Sequence, residues 1–359
     1  GGMVLCFNSI RNLANFFRFD LRSNYVLYRN HRKVLVIDDA VGYCGGMNIA
    51  ADYCGEDIGG NGRFRDTHSR IVGPGVAHLA SVFVSTLQTM QSQSIPEWPE
   101  VMKKVLMMQE EMSPTSSTPE SQPSSEPIPP TSTKALSTSS KPRQPRNRSE
   151  DALQTAVSKL VGSRRPFIQL AAGKQAAFTQ VLASNNREKK RAIQKALSET
   201  IDLAQKHVYL TSPYFLPPLS IRQAIIRAAK RGVDVRILTA GQSDIPFITS
   251  ASAHIYGLFL RHGVRIYELQ NQELHAKTVT SDGGVAMVGS YNLDNLSYKH
   301  NLEANLNFLD NKLAVDLERQ FFEDLKYSKE VIKSRWDNRP WYKRVWHWTV
   351  YSLFNLLLR

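Results

Sequence analysis

The sequence carries one constellation twice, His-x-Lys-x4-Asp: His31, Lys33 and Asp38 in RNHRKVLVIDD, and His275, Lys277 and Asp282 in ELHAKTVTSDGG. The likeness continues past the motif. At equal distances beyond each histidine stand Gly45 and Gly289, Gly46 and Ser290, and Asn48 and Asn292, so GGMN in one copy answers GSYN in the other. A single motif of this kind can arise by chance. Two copies with matched downstream positions form an internal repeat, which constrains the fold before any local propensity does.

Each copy predicts its own local structure. Residues two apart on a strand share a face, so each His and its Lys point the same way. The β-rich stretches Val34–Ile37 and Thr278–Thr280 continue each strand, and Asp38-Asp39 and Asp282-Gly283-Gly284 read as turns. Second strands follow at Val41–Cys44 and Val285–Val288, closed by small residues where a backbone must approach a ligand. Brought together by two-fold symmetry, the copies supply paired His, Lys and Asn around one point. That inventory suits a phosphodiester. Lysines and asparagines hold the non-bridging oxygens through the build-up of transition-state charge. One imidazole attacks phosphorus while the other protonates the leaving alkoxide, and the roles then reverse for an incoming alcohol or water. No metal and no cofactor is expected, because the lysines supply the positive charge and no Cys/His spacing of the zinc kind occurs.

These residues carry a resemblance. The duplicated motif is similar to that of the phospholipase D superfamily. RNHRKVLVIDDAVGYCGGMNIAADY, FRDTHSRIVGPGV, TSPYFLPP, GVDVRIL, SDIPFI, GVRIYE and LHAKTVTSDGGVAMVGSYNLDNLS together resemble its bacterial-type cardiolipin synthases. The likeness covers nearly the whole chain outside about Glu97 to Leu160. It implies an α/β fold of two homologous phospholipase D-like α/β/α sandwich domains, with mixed sheets packed in pseudo-two-fold symmetry and the active site at their interface. It implies catalytic roles for His31, Lys33, His275 and Lys277, with His31 as nucleophile and His275 as general acid. Phosphate contacts fall to Asn48, Asn292 and Ser290. Acidic residues further along, Asp66 and Glu303, are expected to orient the imidazoles. Asp38 and Asp282, the motif acids, are expected to brace the strand-turn geometry. Two positions depart from the family pattern, Phe64 where Trp is usual and Leu296 where Arg is usual, and both bear on substrate fit.

The domain organisation expected from the repeat is unequal. Residues 1–112 make a first unit, 161–336 a second, and 337–359 a C-terminal amphipathic helix. The offset between copies is 275 − 31 = 244, which places the equivalents of Val208 to Leu210 before residue 1, so the first unit is expected to be N-terminally incomplete. Residues 113–160 are expected to be a disordered insertion: from Ser113 to Glu150, 24 of 38 residues are Ser, Thr or Pro, too few apolar side chains to form a core. Elsewhere Phe64–Val72 reads as a strand, Val76–Met90 as a helix, His207–Thr211 as a strand, and Leu219–Arg231 as a helix closed by Gly232 before a strand at Val233–Leu238. Strand, helix, strand implies a parallel βαβ unit. Tyr214 and Phe215 lie at the C-terminal end of its first strand, where α/β folds place ligands, and are candidates for a substrate wall, with loop packing as the alternative.

The formal net charge of +13 predicts acidic partners. Cys6, Cys44 and Cys54 make an odd number and read as packing residues in a reduced compartment. In the C-terminal stretch, three tryptophans and a leucine-rich end follow Arg339, Lys343 and Arg344. Its near-apolar run, Val345 to Leu358, is too short to span a bilayer, so a helix lying in the membrane interface is expected, with packing on the core as the alternative. The resulting expectation is a membrane-associated phosphatidyltransferase that makes cardiolipin with phosphatidylglycerol as acceptor. Its donor is phosphatidylglycerol, CDP-diacylglycerol or phosphatidylethanolamine. Its site would be a mitochondrial inner membrane in a eukaryote or the cytoplasmic membrane in a bacterium. A phospholipase D hydrolase is the alternative; a nuclease and an inactive lipid-binding fragment rank below it.

Overall fold

The structure is a computed structural model that describes residues 29–91, 177–185, 191–243, 245 and 247–357. The Ser/Thr/Pro-rich segment and Cys6 lie outside these residues.

In the first copy, β1 (Val34–Ile37) and β2 (Val41–Gly45) form a hairpin with Ile37 opposite Val41. Asp38 and Asp39 both have positive φ, and Ala40 N–H donates to Ile37 O at 3.0 Å, which is a type I′ turn matched to strand twist. The stretch read as one strand at Phe64–Val72 is two, β3 (Phe64–Arg65) and β4 (His68–Val72). The break falls at Asp66-Thr67, where the Asp66 carboxylate accepts the Thr67 N–H at 2.7 Å, and β3 leaves to pair elsewhere. Helix α1 (Gly75–Gln91) covers the inner face of this three-stranded sheet, ordered β1-β2-β4.

The second half begins with β5 (Phe178–Ser184) and α2 (Ala192–Leu203), then β6 (His207–Thr211), α3 (Leu219–Lys230), β7 (Asp234–Ala240), α4 (Ile248–Leu260) and β8 (Arg265–Leu269). The chain then runs through β9 (Glu273–Leu274), β10 (Thr278–Ser281), β11 (Val285–Gly289), α5 (Asn295–Lys299), β12 (Glu303–Leu309) and α6 (Asn311–Lys326). It closes with β13 (Ser328–Glu330), α7 (Lys333–Asp337) and α8 (Trp341–Leu357). Eight strands form one mixed sheet, β13-β8-β7-β6-β10-β11-β12-β5, parallel through β6, β7 and β8 as the βαβ reading predicts.

The repeat is visible in register. Shifting β1 and β2 by 244 gives β10 and β11, whose turn again has positive φ at two successive residues, Asp282 and Gly283, with Gly284 N–H donating to Ser281 O at 3.1 Å. Gly45 lies opposite His68 in one copy and Gly289 opposite Asn305 in the other. The shift from Asp66 to Glu303 is 303 − 66 = 237, and it carries β4 onto β12 and the start of α1 onto that of α6. The two halves pack face to face: Cys44, Ile71, Val76 and Leu79 share one core with Ala286, Val288, Ala304, Leu306 and Phe308. A larger core lies between the eight-stranded sheet and α2, α3 and α4, with α8 laid over it through Val350. The α/β class and mixed sheet expected from sequence are those of the structure.

Candidate active site

The histidines stand where the halves meet, and each is placed by the other copy. His31 N–H donates to Leu302 O at 2.9 Å, and His275 N–H donates to Arg65 O at 2.8 Å. Asn30 makes a parallel bridge with Leu302, and Leu274 pairs in parallel with Arg65. Under the offsets of 244 and 237 these two pairings are one pairing with the copies exchanged. The residue that follows Leu302 is Glu303, and the residue that follows Arg65 is Asp66. Backbone pairing therefore aims each carboxylate at the imidazole of the opposite copy.

The side chains complete this exchange. His31 Nδ1 lies 3.0 Å from both oxygens of Glu303, and His275 Nδ1 lies 2.7 Å from Asp66 Oδ2. Asp66 and Glu303 thus do pair with histidines, but with those 209 and 272 residues distant rather than with the ones preceding them in their own copies. A carboxylate on Nδ1 holds the proton there and leaves Nε2 as the basic nitrogen. Glu303 is fully buried and also accepts from Ser290 Oγ at 2.5 Å, Ser297 Oγ at 2.7 Å and Asn301 Nδ2 at 3.2 Å. Burial pushes its pKa up, but His31, Lys33 and the Ser290 hydroxyl outweigh this and hold it below the ordinary carboxylate range. In the first copy Gly46 stands where Ser290 stands in the second. A Cβ at Gly46 would collide with the Asp66 carboxylate, so the close approach requires glycine there.

The lysines follow the same rule in both copies. Lys33 Nζ donates to His31 O at 2.9 Å, and Lys277 Nζ donates to His275 O. Burial lowers the pKa of both, and that of Lys277 falls to about 7 because desolvation and the nearby Lys33 outweigh Asp66 and Glu303. His275, pressed by burial and by Lys277, is held below the usual imidazole value despite its bond to Asp66. A half-buried and a buried lysine near two carboxylates and two imidazoles form a site able to hold an anion, such as a phosphodiester, whose charge favours the protonated lysines.

The other expected residues are placed unequally. Asn292 is buried, and its Oδ1 has no hydrogen-bond partner among the described residues, whereas Asn48 is exposed and donates to Tyr53 Oη at 2.8 Å. Ser290 turns its hydroxyl to Glu303. Asp282 accepts the backbone N–H groups of Gln205, Lys206 and His207 at 2.8, 2.8 and 2.9 Å, so it pins the entry to β6 while occupying the left-handed turn position. Asp38 holds the same turn position in the first copy. Tyr214 and Phe215 do not line the site. Both are buried in the main core, where Phe215 meets Phe259 at a ring separation of 5.2 Å and Leu216 N–H donates to Leu293 O at 2.8 Å. The loop-packing alternative describes them.

Several contributors went unread in the sequence. Tyr53 lies 3.4 Å from His275 Nδ1 through its hydroxyl and stacks on Phe64 at 4.8 Å, and Phe64 itself packs on His275. Ser297 and Asn301 hold Glu303, and Arg65 ties the halves by pairing with Asp324 at 2.8 Å. The signal for Tyr53 was its position just after GGMN; nothing local marked the others.

Comparison with known proteins agrees with the motif. Residues 197–325 match a family model described as "Cardiolipin synthase, PLD-like domain". The chain is 27% identical over 339 residues to a cardiolipin synthase of Oceanobacillus iheyensis, and 28% identical over 317 residues to one of Listeria innocua. These alignments take in 94% and 88% of this chain but 55% and 52% of the relatives, so the chain spans about half their length. Among solved structures, the phospholipase D family member Nuc from Salmonella typhimurium aligns over 44% of this chain and 99% of its own, at 21% identity and a TM-score of 0.38. Residues 197–325 are thus similar to a phospholipase D-like domain, and the chain is similar to bacterial cardiolipin synthases over most of its length.

Proposed function

We propose that this chain, with its phospholipase D-like domain, is a membrane-associated phosphatidyltransferase of the cardiolipin synthase kind, built from two phospholipase D-like halves, 1–112 and 161–336, joined by 113–160. The observation that carries the reading is the exchanged pairing of His31 with Glu303 and His275 with Asp66, which couples two imidazoles and two lysines into one site. One imidazole attacks the phosphate of a phosphatidyl donor, and the phosphorus–oxygen bond to the leaving alcohol breaks as the other imidazole protonates that oxygen. A phosphatidyl-histidine remains. The second imidazole then deprotonates a phosphatidylglycerol hydroxyl, which attacks phosphorus, releases the histidine and forms cardiolipin. Lys33, Lys277 and Asn292 hold the non-bridging oxygens, with Asn48 at the rim. The relatives, named as cardiolipin synthases, support lipid as the substrate class.

The likeness to the phospholipase D superfamily points to His31 as the nucleophile, while the symmetry of the two copies leaves either histidine able to serve. Incubation with labelled phosphatidylglycerol in mixed micelles tests both levels. Cardiolipin and glycerol on repeated turnover from wild type, and no cardiolipin from either His31→Ala or His275→Ala, is the expected result. Phosphatidic acid as the sole product would replace transfer by hydrolysis, and a label trapped on protein in only one of the two variants identifies the surviving histidine as the nucleophile.

A further inference from the structure

Away from the paired histidines, α3, α4, α7 and α8 border an open cleft of about 770 Å³, a volume suited to a small ligand. Its charge is one-sided. Arg222, Arg261, Arg339 and Arg344 line it, and none has an ion pair with a carboxylate among the described residues. The one carboxylate in the lining, Asp337, is already held by Lys333 at 2.6 Å. Arg339 lies over the Trp336 ring at 3.1 Å from its centre and bonds His347 Nδ1 at 3.0 Å. Burial and the neighbouring Arg344 pull its pKa down to about 10, and burial with Arg339 pushes His347 to about 4, so that ring is a neutral acceptor. Four arginines face the one carboxylate, Asp337, which Lys333 already shares, so cations outnumber counter-charge there, and an anion seated among them relieves the repulsion.

The mouth of the cleft says which anion. Trp341 and Trp348 line it and are also 74% and 58% exposed. Along α8, Trp341, Val345, Trp348 and Leu356 form one outward stripe, while Val350 anchors the opposite side to the core. Free phosphate would make no use of exposed indoles and leucines beside its site. A bilayer would, because indoles settle at the headgroup level and aliphatic side chains enter the acyl boundary. No helix among the described residues is long and apolar enough to cross a membrane, so α8 would lie along the surface.

We propose that this cleft is a second lipid site, separate from the histidines, which seats the phosphate of an anionic phospholipid while the outward stripe of α8 enters the bilayer surface. The site concerns binding alone, so its test stands whatever the product assay shows. The full chain is sedimented with vesicles of phosphatidylcholine, with and without phosphatidylglycerol. Arg261→Gln combined with Arg344→Gln removes two exposed guanidiniums and should lower affinity for phosphatidylglycerol vesicles roughly tenfold or more, leaving phosphatidylcholine binding unchanged. Trp341→Ser combined with Trp348→Ser should weaken binding to both vesicle types. Arg227→Gln, an exposed position paired with Asp202 outside the cleft, should change neither. Unchanged phosphatidylglycerol affinity in the arginine variant overturns the proposal, as does an equal loss for both vesicle types. Glycerol phosphate that quenches the cleft tryptophans as strongly as lipid does would assign the cleft to a soluble anion and overturn the bilayer seat.

Discussion

Around His275, the motif strands β10 and β11 are interior members of an eight-stranded sheet; around His31, the equivalent β1 and β2 belong to a sheet of three described strands. The difference shows on the face turned from the shared core. Leu35 and Ile37 are 53% and 43% exposed, while their repeat equivalents Val279 and Ser281 are buried. Yet turn type, strand register and lysine-to-carbonyl bond are the same in both copies. Site geometry rests on the short parallel pairings across the halves, which are one pairing with the copies exchanged. Of the two orienting acids Glu303 is the more deeply tied, with three hydrogen-bond donors besides His31.

The sharpest way to break the comparison is to remove the orienting acids. Glu303→Gln and Asp66→Asn should each lower the transfer rate by about 10³- to 10⁴-fold, by analogy with loss of the acid in a serine-protease triad. Nitrogen NMR should find the first variant changing the His31 tautomer and the second that of His275. The opposite assignment would sink the exchanged pairing.

The lysines come next. Lys277 has a folded pKa near 7 against an ordinary 10.5, so the unfolded chain binds the extra proton between these values. Its burial therefore weakens the fold fully below about 7, and the penalty fades as pH rises towards 10.5. Lys277→Met should abolish transfer yet raise unfolding stability near neutral pH by on the order of a few kcal/mol, with the gain shrinking in alkaline buffer. Denaturant midpoints across that window measure it. Lys33→Met, at the same site in the less covered copy, should stabilise less.

Smaller effects separate the two sheets. Val279→Ala should cost about 2 kcal/mol by leaving a cavity, whereas Leu35→Ser at the matching exposed position should stay within about 0.5 kcal/mol. Equal losses would mean that the first sheet is covered as well as the second. Last, Ser290→Ala removes one donor to Glu303 and should cost about 1 to 2 kcal/mol, with a modest fall in rate measured in the product assay.

How much of this could be read in advance depended on distance along the chain. Hairpins, turns and helix ends are local: His207–Thr211 was legible as a strand, and the helix begun at Leu219 ends at Lys230 with Gly232 at φ +86, as its glycine signal implied. The repeat offset located the histidines, lysines and acids because it counts residues of like kind. It could not say which acid meets which imidazole, since both the same-copy and the crossed arrangement satisfy the count. Only the pairing of Arg65 with Leu274, and of Leu302 with Asn30, decides between them. Tyr214 and Phe215 stayed open between two readings for a similar reason: an aromatic pair after a parallel strand looks the same whether it faces a ligand or, as Phe215 does, α4.

The exchange of partners between halves also makes both histidines depend on one docking event. A half folded by itself would present a histidine without its acid, its ring free to take either tautomer. Reactivity towards phosphodiesters would then arise only when the halves dock, in the same event that completes the fold. Separation of the halves would take the orienting acid from both histidines at once.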